Sequence, residues 1–567
     1  MKKGFFNLVL HTHIPYCRKA GVWPFGEEWI HEALSETYIP LLNVLYGLVE
    51  EGYNPYITIN LTPILVEQLK DSYFNEKFKK YVENKIYLAE KDIIRFDKKG
   101  KKEYKHVAEF YANWYKDIYR SYKEKFNEDV IGAFKKLQDG GYIEIITCAA
   151  THGYLPLLGR DSAISAQIEV GRRTYKKYFG SNPKGIWLPE CAYRPSYNWS
   201  PPVDSPYAQK GERPGIEKFL IENNLNFFFV DTHVLEGGEP KGVYMDRFPA
   251  LRKLWEQFAE EYKDKAPLKI KKRTTYLSYL LQYKEDFVNV FARNKETGLQ
   301  VWSGDWGYPG DFWYREFHKK DEVSGFQYWR VTDPSGDLAK KEVYVPEKTI
   351  ERIKEHGMHF ANLVHTLLTN FYEEYNVPGI ISSLYDTELF GHWWFEGISW
   401  IGEVLKNISN MEDISLITSS SYIENYSSPE VISIPEGSWG EGGYHFVWFN
   451  EKTEWMWPII YRAEKRMEDL ARRYVDTSDL MIERMLNQAA RELLLLESSD
   501  WPFLITTMQA AEYAKKRFKN HVDKFNTILD FVEGNKFDEE AIAYLTEVED
   551  EDNPFSFIDF RVYNYNY

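Results

Sequence analysis

Seven short apolar runs alternate with stretches of helical spacing along this chain. That alternation restricts the fold more than any other feature of the sequence. The runs are Phe5–Leu10 (FFNLVL), Tyr56–Asn60 (YITIN), Tyr142–Cys148 (YIEIITC), Gly185–Leu188 (GIWL), Asn226–Val230 (NFFFV), Gly379–Ser383 (GIISS) and Ile414–Thr418 (ISLIT). Several are continuously apolar, as parallel strands buried on both faces are. Helices are predicted between them over about Ser35–Glu51, Asp161–Tyr178, Ile216–Asn224 and Glu347–Tyr375, the last followed by Pro378. The result is an α/β fold with parallel strands, most simply a barrel.

Two stretches interrupt the pattern. From Leu69 to Leu137 the spacing is helical and no strand is visible, so a helical insertion is predicted over about residues 69–138. From Leu235 to Leu299 the alternation breaks down, and a lid or subdomain is expected there. Past Pro458 the spacing is helical to the end, with helices near Ile459–Arg473, Ser478–Leu496 and Pro502–Lys519 and a solvated acidic tail at Glu547–Asp552. The predicted organisation is a catalytic barrel over residues 1–425 and a helical domain over 426–567, as expected for 567 residues, too many for one core.

Position then points to chemistry. His11, His13, His152, Glu190, Asp231, His233 and Asp386 all fall just past the carboxyl end of a predicted strand. In a parallel barrel those ends converge on one mouth, where active sites are built. Asp386 belongs to GIISSLYDTELFGHWWFEG, which crowds His392, Trp393 and further acidic groups beside it. QVWSGDWGYPGDFWYREF, with Trp302 and Trp306, is equally dense in Trp, Tyr and Asp. Aromatic faces stack on sugar rings and carboxylates supply acid, base or nucleophile. An aromatic content of 17% fits a carbohydrate binder. A net charge of −16 argues against nucleic acid or an anionic membrane as partner.

Glu190 and Asp386 sit on different strands and could face each other as a retaining pair, one attacking the anomeric carbon and the other protonating the leaving oxygen. The residues alone do not say which does which. His11-Thr-His13 with His152 or Asp231 has a second reading as a metal site, which would make the chain a metal-dependent hydrolase or deacetylase. No Cys-x-x-Cys or HExxH motif supports that. Three cysteines, Cys17, Cys148 and Cys191, give no disulfide framework and read as small buried residues of a cytoplasmic protein. The apolar run of MKKGFFNLVLHTHIPY is too short for a signal segment or a membrane span.

HTHIPY, AATHGYLP, WLPECAYRP, YDTELFGHWWFEG and SSDWPF, in that order, resemble the motif set of glycoside hydrolase family 57 and most closely that of its 1,4-α-glucan branching enzymes. The resemblance implies an incomplete (β/α)7 barrel with a helical insertion and a C-terminal helical domain. It implies Glu190 as nucleophile, Asp386 as general acid/base, and His11, His13 and His152 lining the donor sugar site, with neither metal nor cofactor. Trp302, Trp439 and Trp448 match aromatic positions that shape the glucan cleft. Asp500 and Trp501 match a motif that the helical domain contributes to the site. Tyr244 is the candidate lid tyrosine. Arg194, Asp231, His233, Trp306, His392 and Trp393 complete the set of candidate substrate contacts. The implied reaction cleaves an α-1,4 glucan and passes the segment to a 6-hydroxyl of an acceptor glucan. The segment between Tyr244 and Trp302 is longer than in compact members, so an α-amylase or 4-α-glucanotransferase on the same site remains a rival, as does a non-catalytic glucan binder.

Overall fold

The computed structural model describes residues 2–236, 273–303, 307–334, 336–426 and 430–565. The strands in chain order are β1 (Gly4–Thr12), β2 (Ile57–Leu61), β3 (Ile143–Cys148), β4 (Ile186–Trp187), β5 (Tyr197–Trp199), β6 (Gly211–Arg213), β7 (Phe227–Val230), β8 (Tyr279–Tyr283), β9 (Asp286–Ala292), β10 (Gly379–Asp386) and β11 (Ile414–Leu416). Continuous parallel pairing runs β10–β1–β2–β3–β4. A parallel bridge from Gly185 to Phe227 leads on to β7, which pairs in parallel with β9. A second bridge, Arg293 to Ser382, leads back to β10. Seven strands thus follow one another round a curled sheet that is thinly joined at two places, as expected of an incomplete barrel.

The membership of that ring differs from the sequence expectation. Ile414–Leu416 is a strand, but it pairs with Gly4–Phe6 at the start of β1, off the path of the ring. The seventh position belongs to β9, which lies in the stretch read as a lid. Its apolar run, Val288–Ala292, is short, is broken by Asn289 and follows a charged turn, so it carries little strand signal on its own.

β1 shows why the strands are apolar throughout. Its nine residues are all buried. Phe5 and Val9 pack into one core cluster, while Phe6, Leu8 and Leu10 pack into another beneath the insertion helices. The period of two sends alternate side chains to opposite faces, and both faces are covered. Each Phe, Leu or Val so buried contributes about 1.5–3 kcal/mol.

The insertion is built on the helices Ser72–Lys98 and Lys102–Arg120, which pack on each other. Asp71 caps the first by accepting from the Tyr73 N–H at 2.9 Å. Phe74, Phe78, Tyr81, Val82, Ala89 and Phe96 form its buried stripe.

The C-terminal helices are Met456–Arg473, Leu480–Leu496, Asp500–Thr506, Ala511–Glu533 and Glu539–Glu551. The single helix expected over Pro502–Lys519 is broken, with Met508 in the left-handed region at φ 60°. The acidic tail is solvated only in part, with Glu547 and Asp550 exposed. It finishes the last helix, and Asp552 is 1% exposed beneath it. No described helix is long and apolar enough to cross a membrane.

Candidate active site

Register brings the first groups together. Along the paired ends of β10, β1 and β2, Asp386 lies opposite His11 and His11 lies opposite Asn60. Adjacent strands are about 4.8 Å apart, so these three side chains stand in a row on the same face of the sheet. His11 Nδ1 is 2.7 Å from Asn60 Oδ1, and its ring stacks on Trp187 of β4 at 4.7 Å between centres. His13 Nδ1 is 3.0 Å from Thr62 Oγ1, just past β2, and its Nε2 is 3.0 Å from both carboxylate oxygens of Asp500.

β4 ends at Trp187, and the chain turns through Pro189–Cys191. Glu190 sits in that turn in the left-handed region at φ 62°, as does His152 at φ 61° past β3. A non-glycine residue held there costs about 1–2 kcal/mol, and such positions cluster at functional sites. Trp439 fixes Glu190 at both ends: its backbone N–H donates to the Glu190 carbonyl at 3.0 Å and its indole N–H to Oε2 at 2.8 Å. The other carboxyl oxygen, Oε1, lies 3.1 Å from Ser499 Oγ and 3.7 Å from His152 Nδ1. Ser499 Oγ is in turn 2.8 Å from His152 Nδ1, and His152 Nε2 is 3.0 Å from His11 Nε2. Ser499 and Asp500 therefore close the barrel mouth from the helical domain.

Burial dominates the electrostatics. It pushes the Glu190 carboxyl up to about 8, against the Trp439 bond, with the charges of Asp386 and Asp500 adding to the rise. Glu388 is likewise pushed up to about 8, although Tyr38 donates to its Oε1 at 2.5 Å and the His13 N–H at 3.2 Å. Burial and the neighbouring histidines hold His11 and His152 well below the ordinary histidine range. Tyr38 reaches Glu388 from a π-helical turn, Leu34–Tyr38. Gly391 packs against that turn at φ +95°, where an added Cβ would stand 1.9 Å from the Glu36 carbonyl. Only glycine fits the G of YDTELFGH.

Other expected residues surround this centre at varying depth. Asp231 is gripped by both ends of the Arg293 guanidinium at 2.8 Å; burial works to raise its pKa, but Arg293 outweighs that and holds it well below the usual carboxylate range. His233 lies 3.5 Å from Asp231 and bonds the Gly443 carbonyl at 3.1 Å. Arg293 also lies over the Trp439 ring at 5.9 Å, so this pair supports the tryptophan that holds Glu190. Trp393 is half-buried and stacks on Phe317 at 4.3 Å, with His392 edge-on to Phe317 at 5.3 Å.

Four expected contacts are core residues instead. Arg194 is fully buried, donates to the Pro214 carbonyl at 3.1 Å and holds the loop that carries β5 and β6. Trp302 is 6% exposed and packs in the core beneath the insertion. Trp448 is 1% exposed and stacks on Tyr154 at 4.4 Å. Trp501 is fully buried and donates to the Leu495 carbonyl at 2.8 Å. Tyr244 and Trp306 lie outside the described residues.

His13, His152 and Asp500 bring potential metal-ligand atoms within 4.8 Å of one another, as do Glu492, His521 and Asp552 in the helical domain. In the first group those atoms already bond other side chains: His13 and Asp500 bond each other, and the two His152 nitrogens bond Ser499 and His11. That arrangement is a hydrogen-bonded network. In the second group Arg517 and Lys524 bring positive charge to the cluster.

Sequence reasoning missed Ser499, Asn60, Thr62, Tyr38 and Arg293, and noted Glu388 only as one of the acidic groups crowded beside Asp386. Asn60 and Thr62 had a usable signal, since they end the same kind of run that precedes His11. Ser499 lies inside the SSDWPF motif, one residue before the pair that was chosen.

A family model described as glycosyl hydrolase family 57 matches residues 7–435. A second, described as 1,4-alpha-glucan branching enzyme, C-terminal, matches residues 459–563. The chain is 48% identical over 558 residues to a 1,4-alpha-glucan branching enzyme of Thermococcus kodakarensis, covering 98% of this chain and 77% of that protein. The crystal structure of the family 57 branching enzyme from that organism superposes with a TM-score of 0.88 at 46% identity, over 100% of this chain and 97% of the other. The family 57 branching enzyme of Pyrococcus horikoshii gives 0.87 at 44% identity, with the same coverage. The α-amylase AmyC of Thermotoga maritima gives 0.81 at 29% identity, over the whole of both chains.

Proposed function

This chain belongs to glycosyl hydrolase family 57, and from that premise we propose that it is a 1,4-α-glucan branching enzyme whose nucleophile is Glu190 and whose acid/base is Asp386. The observation that carries the residue assignment is convergence. Glu190 and Asp386 reach the same buried mouth from β4 and β10 and act on each other electrostatically. Likeness to branching enzymes over nearly the whole chain, helical domain included, favours transfer to a sugar. The fold alone does not choose the acceptor, since an α-amylase shares it.

In the first step Glu190 Oε1 or Oε2 attacks the anomeric carbon, and Asp386 protonates the departing 4-oxygen. In the second, Asp386 takes the proton of an acceptor 6-hydroxyl as that oxygen displaces Glu190. Two displacements retain the α configuration. Trp439 and Ser499 hold the carboxyl of Glu190, and their bonds are strongest to its anionic form. The histidines and Asp500 offer donors and acceptors for sugar hydroxyls. Transfer outruns hydrolysis only where water is kept from the glycosyl-enzyme, and a mouth closed by the helical domain serves that end. The substrates are then α-1,4-glucan donors and acceptors, and the product belongs to glycogen-type polymer synthesis. Three buried free cysteines suit a cytoplasmic setting.

The test is proton NMR of amylose incubated with the enzyme. New α-1,6 signals with few new reducing ends support the reading; reducing ends without α-1,6 signals would make the protein a hydrolase.

A further inference from the structure

We propose that Ser499 and His152 form a proton relay for Glu190, so that the nucleophile ionises by handing its proton inward to His152 and not to solvent. The proposal rests on Glu190 being the nucleophile.

Counting donors assigns the protons. The Asn60 amide nitrogen donates to the carbonyls of Ile146 at 3.2 Å and Thr147 at 2.7 Å, so its Oδ1 is the atom facing His11. An amide oxygen only accepts, and His11 Nδ1, 2.7 Å away, must carry hydrogen. A neutral His11 then has a bare Nε2. The 3.0 Å contact between the two Nε2 atoms requires that His152 supply the hydrogen. Neutral His152 is in turn bare at Nδ1, and only Ser499 Oγ, 2.8 Å away, can donate there. The serine has then spent its one hydrogen. Its 3.1 Å contact with Glu190 Oε1 is a bond only if Glu190 itself carries the proton. Trp439 donates to Oε2, which leaves Oε1 as the protonated oxygen.

A second arrangement has the same number of protons. The Glu190 proton passes from Oε1 to Ser499 Oγ while the serine's own passes to His152 Nδ1. Two O–H bonds break, one O–H and one N–H form, and nothing enters or leaves. Glu190 becomes a carboxylate and His152 an imidazolium that donates to Ser499 and to His11. Glu190 then attacks, and the proton waits on His152 until the second displacement returns the carboxylate. Positive charge developing at the anomeric carbon favours the ionised form.

The charged and titratable groups facing the relay are few. His13 stacks on His152 at 4.1 Å and carries Asp500 on its far nitrogen, a counter-charge for the imidazolium. Asp386 and Asp500 bear on Glu190, and the thiols of Cys148 and Cys191, which feel the Glu190 charge, are pushed up chiefly by burial. Burial raises Glu190 and lowers both histidines, which fits a neutral resting network. No Lys or Arg hydrogen-bonds to His11, His152, Ser499 or Glu190 among the described residues.

The test is the pH profile of kcat/KM on an α-maltosyl fluoride, whose fluoride leaves without an acid. Ser499→Ala should move the acidic limb up by about one pH unit, a tenfold loss at pH 6 that fades above pH 8. Ser499→Thr should restore the limb, His152→Gln should shift it equally, and the double variant should shift it no further. A uniform loss at all pH, with the limb unmoved, overturns the relay. If the variants do not fold, wild type decides: a curved rate dependence in H2O/D2O mixtures supports two protons moving, and a linear one or none overturns it. Glu190→Ala with added azide runs alongside. Restored turnover keeps the nucleophile whatever Ser499 does, and no restoration removes it separately.

Discussion

At the barrel mouth His152 lies 3.7 Å from Glu190, and in the helical domain His521 lies 2.7 Å from Glu492. Both are buried His–carboxylate pairs with a second carboxylate close by. Their surroundings differ in one respect. Arg517 donates to His521 Nε2 at 3.0 Å, and Lys524 is 2.5 Å from Asp552. Arginine only donates, so it fixes the His521 hydrogen on Nδ1, pointing at Glu492. Burial works to raise Asp552, but His521, Arg517 and Lys524 outweigh it and hold it low. This cluster is locked by fixed cations. It ties the last helix to Leu480–Leu496 and Ala511–Glu533, and Arg517 reaches across to the Tyr16 carbonyl at 3.3 Å. At the mouth a serine hydroxyl stands where a cation would, and hydroxyls both give and take a proton. The same residue types make a rivet in one place and a titrating site in the other.

The comparison breaks most visibly at Glu190. Glu190→Gln should cost on the order of 10^4-fold in turnover with melting temperature unchanged or raised, because an acid kept protonated by burial is removed. Loss of fold together with activity, seen by calorimetry, would make Glu190 a rivet too. Asp552→Ala is the converse. Removing one partner of a buried charge network costs about 3–5 kcal/mol, read as a lower urea midpoint, with the activity of folded molecules kept. A change below about 1 kcal/mol would mean that the cluster is solvated and locks nothing.

Trp439→Phe sharpens the mouth alone. It deletes one N–H bond to Glu190 Oε2. Hydrogen bonds to charged groups contribute about 1.5–3 kcal/mol, so kcat should fall roughly 10- to 100-fold with KM little changed. The smallest effect comes from pH. His11, His152 and His521 have folded pKa values below their ordinary range, so the unfolded chain binds more protons in acid. Each histidine's contribution should be full above about pH 6.5 and fall below it, by up to about 1.4 kcal/mol per pH unit, while Glu190 and Glu388, raised to about 8, work in the opposite sense over the same range. The histidine part is isolated by His521→Gln: the urea-midpoint difference between wild type and this variant should shift against wild type from about pH 7 to 5, and a shift in its favour would contradict the sign.

The legible parts of the sequence were those whose signal is local. Six of the seven apolar runs are ring strands, and the groups just past them, among them Glu190, His11 and Asp386, stand at the mouth because parallel strands end there. The seventh ring strand was hidden because Val288–Ala292 is short and Asp231–Arg293 closes across 62 positions of chain. SSDWPF was found as a motif but misread inside. In the helix Asp500–Thr506, successive side chains turn by about 100°, so Asp500 faces His13 while Trp501 faces the core against His521 at 6.1 Å. Trp302 and Trp448 were expected in the cleft from the family resemblance, and large aromatic rings serve a core as readily as a cleft. The tail at Glu547–Asp552 looked solvated because its partners, Lys524 and His521, lie on another helix.

The central claim is that the barrel mouth does the chemistry through a covalent sugar on Glu190. The most direct measurement is to incubate the enzyme with a slow fluorinated maltosyl fluoride, digest it and locate the added mass by peptide sequencing. The account predicts one modified peptide, containing WLPECAYRP, with the sugar on Glu190. A sugar on Asp386 or another residue, or an active enzyme that never carries one, would contradict it.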